Sequence, residues 1–88
     1  MLFRSKKNMN EKEYDIIRER AKKLFLERQE KYGNSVDIID LHTIVGLMLM
    51  KLKRVYDLPE TAKIEDELLD CFNYCIFGLD KYKKEVNK

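Results

Sequence analysis

Tryptophan is absent from this 88-residue chain, proline and histidine occur once each, cysteine twice and glycine three times. So little proline and glycine excludes collagen-like and low-complexity sequence and leaves room for long helices. A single histidine, His42, has no Ser-His-Asp or Cys-His pattern around it. Neither a GxxxxGK phosphate loop nor a GxGxxG dinucleotide fingerprint occurs, and most enzyme classes are thereby set aside. Cys71 and Cys75 stand four apart on one expected helix, a spacing that suits two packed thiols rather than a disulfide framework. That usage points to a reducing, cytoplasmic compartment. With one histidine and no second cysteine pair, zinc–thiolate chemistry lacks ligands. The longest apolar run, Ile44 to Met50, is far shorter than a membrane span, and Leu2-Phe3 is too short for a signal core. Soluble behaviour without a membrane partner is expected.

Neither sign of charge dominates: 18 basic and 16 acidic residues leave a net charge of +2. Bulk electrostatics therefore gives no footprint for sequence-specific nucleic-acid binding. Arg4-Ser5-Lys6-Lys7 and Lys81-Tyr82-Lys83-Lys84 read as solvated ends. What the chain does have is 44% hydrophobic and 39% charged residues, the balance of a helical domain rather than a disordered segment. A single domain over residues 10–82 is expected, flanked by flexible segments at 1–9 and 83–88.

The fold class is all-α, with three main helices. The first starts at Asn10, where an Asn10/Glu13 capping box is set up, and runs to about Tyr32 before Gly33 and Asn34. Tyr14, Ile17, Ala21, Leu24, Phe25 and Arg28 form its repeating row, with Ile16 and Leu26 off it as a second contact. Ser35 or Asp40 caps the next helix, and irregular backbone or a short helical turn fills Val36 to Ile39. The second main helix covers Leu41 to Tyr56 and ends before Asp57-Leu58-Pro59. Its Ile44 to Met50 stretch is apolar nearly all round and demands burial on several sides, with Gly46 allowing close backbone approach. Three helices cannot surround such a segment, so a homo-oligomer that completes a helical bundle between chains is expected. A monomer whose apolar patch holds another protein is the alternative.

In the third helix Asp66, Asp70 and Asn73 fall at i, i+4 and i+7, one narrow stripe, with Phe77 continuing it. Ile64, Leu68, Cys71, Phe72, Cys75 and Leu79 line the other side. Phe77 suggests that the stripe runs under other protein, so its carboxylates are candidates for holding a cation such as Mg²⁺. On the second helix Lys51 sits within the apolar stripe of Ile44, Leu47, Met48 and Val55, with Arg54 at its edge. An unpaired ammonium there would cost several kcal/mol, so it needs an anion. Two readings of these groups stay open. In one, Lys51 pairs with Asp66 and Asp70 and docks the helices. In the other, Asp66 and Asp70 hold Mg²⁺ while Lys51 and Arg54 face phosphate oxygens, with Glu67 or Glu65 as a base. Lys31-Tyr32-Gly33-Asn34-Ser35 is a second candidate, either a helix stop or a phosphate-binding turn with a tyrosine for base or sugar.

Glu30-Lys31-Tyr32-Gly33-Asn34-Ser35, Met50-Lys51-Leu52-Lys53-Arg54 and Ile64 through Tyr74, in that order, resemble the phage nucleotide-modification-associated domain. That family looks like a branch of the MazG-like all-α nucleoside triphosphate pyrophosphohydrolases. The similarity spans about residues 10–82, and its sharpest piece is the Asp66, Asp70, Asn73, Tyr74 spacing preceded by Lys51 and Arg54. The resemblance implies a MazG-like helical bundle that oligomerises and handles a nucleotide. It further implies Mg²⁺ on Asp66 and Asp70, and Lys51, Arg54, Lys31, Tyr32 and Asn73 toward substrate. Glu67 and Asp70 fit the family's ExxD-type helix, but the Leu41 to Tyr56 helix has no glutamate to match its EExxE helix. Two expectations follow: a nucleotide-binding protein, as a Mg-dependent pyrophosphohydrolase with Glu67 as catalytic base or as a binder without cleavage; or a non-catalytic module, phage or mobile-element in kind, that occupies a host protein.

Overall fold

The computed structural model describes residues 8–33, 35–60 and 63–87. The Arg4-Ser5-Lys6-Lys7 run, Asn34 and the last residue of the expected tail lie outside them. Among the described residues the fold is all-helical: α1 (Glu11–Tyr32), a 3-10 turn (Ser35–Ile38), α2 (Leu41–Asp57) and α3 (Ile64–Val86). The third helix thus continues past residue 82, into the segment expected to be a tail.

Local chemistry sets the boundaries. Asn10 caps α1 through the anticipated box: its side chain accepts from the Glu13 amide at 2.9 Å, while Glu13 accepts from the Asn10 amide at 3.4 Å. Gly33 closes the helix with φ of 69°, a conformation that disfavours any residue with a Cβ. Asp40 supplies the cap of α2, accepting from the Thr43 amide at 2.8 Å. Hydrogen bonding to the Thr43 side chain, and then to its amide, holds the Asp40 carboxyl below the usual aspartate value.

α3 is the central element and packs against both α2 and α1. Gly78 is where α2 comes close: a Cβ there would stand 3.3 Å from the Leu41 side chain and 3.9 Å from that of Ile44. The expectation of close approach at Gly46 is corrected, for that residue is exposed with open space around it. Toward α1, Phe25 and Phe77 meet with ring centroids 5.5 Å apart, and the buried Asn73 donates to the Ala21 carbonyl at 2.9 Å. Ile16 and Leu26, expected to make a second contact of α1, are exposed.

The interior is thin. Ala21, Ile44 and Cys71 are the buried hydrophobic residues among those described, and Glu67, Asp70 and Asn73 are buried beside them. The expected apolar side of α3 is largely outside: Ile64, Leu68, Cys75 and Leu79 are exposed. Only Cys71 of the two thiols is packed; its thiol donates weakly to the Met48 carbonyl, and burial pushes its pKa up.

Candidate functional site

Two carboxylates and three cations meet where the helices converge. Lys51 reaches from α2 to both acids, with Nζ 3.2 Å from Glu67 Oε1 and 3.0 Å from Asp70 Oδ2. Arg54, one turn further along α2, donates to Glu67 Oε2 at 2.7 Å. From α1, Arg28 lies 3.2 Å from Asp70 Oδ1. Each of the four carboxylate oxygens therefore has its own cationic partner, and Lys51 bridges the two acids. The Glu67 side chain is 8% exposed and that of Lys51 17%, whereas Arg28 and Arg54 keep about half of their surface in water. Charge-assisted bonds in such a setting are strong, and none of the four oxygens of Glu67 and Asp70 is left without a cation.

Burial alone would pull the Lys51 ammonium down, but the hydrogen bonds and charges of Asp70 and Glu67 outweigh it and hold the group above the ordinary value of 10.5. A raised folded pKa means that the stabilisation is complete below that ordinary value and fades as pH climbs through the folded one. Accordingly, the difference in urea midpoint between the wild type and Lys51→Met is expected to stay constant up to about pH 10 and shrink above it. Equilibrium unfolding across pH 7–11.5 checks this, and a difference that already shrinks below pH 9 contradicts it.

Beside the network opens a pocket of about 400 Å³ between the C-terminal half of α1, the 3-10 turn and α3. Phe25, Tyr32, Tyr74 and Phe77 give it aromatic walls, Ile38, Ile39 and Leu47 add aliphatic surface, and Arg28, Asp70 and Asn73 form a polar end. Tyr74 and Phe77 stand edge to face, with centroids 6.0 Å apart. Lys31 is exposed at the neighbouring surface with its ammonium 5.2 Å from the centre of the Tyr32 ring. The volume falls within the range of small-molecule sites, which are mostly apolar with a few convergent polar groups.

Of the residues singled out in the sequence, Lys51, Arg54, Glu67 and Asp70 come together in the network, and Tyr32 and Asn73 reach the pocket. Asp66 does not join them. It is exposed, so the ion pair expected between Lys51 and the Asp66/Asp70 pair is made by Glu67 and Asp70 instead. For Mg²⁺ the donor set is a poor fit: Asp70 has both oxygens engaged by cations, and Asp66 is not part of the cluster. Among the described residues no group of three or more His, Cys, Asp or Glu side chains is placed to hold a metal ion. Glu67, the candidate base, has both oxygens committed to Lys51 and Arg54. Sequence reasoning missed Arg28 as a site residue, together with Phe25, Tyr74 and Phe77. The signal for Arg28 was present, because an arginine in α1's apolar row raises the same demand for an anion as Lys51 does.

Comparison of the chain with protein-family models, curated proteins and solved structures finds no match.

Proposed function

We propose that the protein binds a nucleotide, with the base among Phe25, Tyr74 and Phe77 and the phosphates against Arg28 and Lys31 at the pocket rim. The observation that carries this reading is the aromatic pocket of about 400 Å³ whose polar end is shared with a network of three cations and two carboxylates. Aromatic faces stack on any base, and such stacking contributes about 1–3 kcal/mol per base. Arg28 is half-exposed with one nitrogen against Asp70 and lines the pocket, and a planar guanidinium is the group that suits phosphate. The network carries one more positive than negative charge, which favours a polyanion. The resemblance to the phage nucleotide-modification-associated domain points the same way.

Binding without hydrolysis is the form we favour. Activating a water would require a carboxylate free to take its proton or to hold a cation, and the four oxygens of Glu67 and Asp70 are already partnered.

Thermal melting with nucleoside mono-, di- and triphosphates, each with and without Mg²⁺, tests the reading. A nucleotide at 100 times its Kd stabilises the folded state by about 2.7 kcal/mol, roughly 10–20 °C for a chain of this size. Arg28→Ala is expected to weaken binding at least tenfold, with a smaller effect on the unliganded midpoint because its ion pair is half-exposed. A midpoint unmoved by every nucleotide at millimolar concentration would sink the proposal, and release of pyrophosphate would overturn its non-hydrolytic form.

A further inference from the structure

One row of α3 runs beneath two hollows. Asp70, Tyr74, Phe77, Lys81 and Lys84 recur at i, i+4, i+7, i+11 and i+14, a single line at 100° per residue. The first three line the aromatic pocket, and the last two line a groove of about 300 Å³. Ile38 and Ile39 line both, so the end of the 3-10 turn is a wall that crosses the row between Phe77 and Lys81. This wall has open space on either side. Ile38 is 86% exposed although it borders an apolar pocket, so the close packing that fixes interior side chains is missing around it. Among the described residues, one hydrogen bond ties the turn to α3, from Lys81 Nζ to the Asp37 carbonyl at 3.3 Å. The ammonium of Lys84 is paired with Asp80 instead, 2.8 Å away.

We propose that Ile38 and Ile39 form a movable wall that closes over the occupant of the pocket, with Lys81 as the latch that holds it back, a device that rests on the reading of the pocket as a ligand site. Lys81 stands on the groove side of the wall, so its bond draws the turn away from Phe77. A nucleobase in the pocket supplies the apolar surface that Ile38 lacks, and covering that side chain takes it out of water. A short 3-10 segment suits such movement, because its hydrogen bonds are poorer than those of an α-helix. The latch bond is exposed, and water replaces an exposed bond at little cost. The wall therefore closes on a ligand and falls back to Lys81 when the pocket is empty.

Two substitutions should move ligand release in opposite directions. Stopped-flow chase of methylanthraniloyl-ATP gives one dissociation rate. Chase of anilinonaphthalene sulfonate, an aromatic anion without base or sugar, gives another, the pocket's share of the dye being the part that Arg28→Ala removes. Ile38→Ser takes away the cover and should quicken release roughly tenfold, with association little changed. Lys81→Met keeps the stem but removes the donor, so release should slow by roughly threefold. Both unliganded midpoints should stay within about 3 °C of wild type, since Ile38 is exposed and the latch is a single surface bond. Ile38→Ser releasing at the wild-type rate overturns the wall, as does Lys81→Met letting go faster than wild type. Should the dye bind where the nucleotide does not, the nucleotide reading fails while the dye rates still decide the wall. Should neither bind, both fall.

Discussion

Replacing Asp70 by Asn is expected to lower stability by about 2 kcal/mol, read as a drop on the order of 10 °C in the melting midpoint at fixed protein concentration. The amide keeps the shape of the carboxylate but removes the charge that Lys51 and Arg28 share. Breaking a buried pair typically costs about 3–5 kcal/mol, because the remaining charge stays desolvated. Here the figure is lower, since Arg28 is half-exposed and turns to water, and Lys51 retains Glu67. Neutralising both acids, Glu67→Gln with Asp70→Asn, leaves Lys51 at 17% exposure facing only amides and should cost about twice as much. Adding Lys51→Met to that pair should recover most of the loss, because an apolar side chain asks for no partner. Ligand binding separates this structural role from metal ligation. Removing the Asp70 charge makes the network more positive, so polyphosphate affinity per folded molecule should hold or rise. If Asp70 were a Mg²⁺ ligand, the metal-dependent part of binding would vanish while the unliganded midpoint stayed near wild type.

The position of Lys51 was legible because an ammonium in an apolar row has few physical outcomes. Its partner was half legible: Asp70 was anticipated, whereas Glu67, one turn earlier on α3 and read as a candidate base, took the place of Asp66. The capping residue Asn10 was likewise legible, since a helix start depends on a few adjacent residues, and Asp40 was one of the two residues offered as the next cap. The apolar row of α3 was not. A helical projection tells which residues share a face, but it cannot tell which face the same chain covers. Ile64, Leu68 and Leu79 look like core by composition, yet α1 docks on the Asp70, Asn73 and Phe77 side. What tips the choice is satisfaction of polar groups: Asn73 finds the Ala21 carbonyl and Asp70 finds Arg28, so burying that side leaves neither unpaired. The pocket was illegible for a related reason. Phe25 and Tyr32 share one face of α1, but Tyr74 and Phe77 are far from them in sequence, and the convergence of the two pairs depends on how α1 crosses α3.

Ile44→Ala is expected to lower stability by about 3 kcal/mol, within the roughly 2–5 kcal/mol range for such truncations. Ile44 is fully enclosed, and its Cγ2 lies 3.9 Å from the position a Cβ on Gly78 would occupy. Deleting its outer carbons there opens a void at the closest approach of α2 and α3, and with so few buried side chains nearby little can relax into it. An exposed counterpart, Ile16→Ala, should change stability by no more than about 0.5 kcal/mol. Urea unfolding of both variants at one protein concentration checks the pair, and a cost below about 1 kcal/mol for Ile44→Ala would show that α2 is not anchored there. Ile44 and Lys51 are seven residues apart on the same face of α2, and both hold it to α3. Loosening one should therefore weaken the geometry of the other, and a cycle combining Ile44→Ala with Asp70→Asn is expected to depart from additivity by at least about 0.5 kcal/mol. Strict additivity would mean that the apolar contact and the ion network position α2 independently.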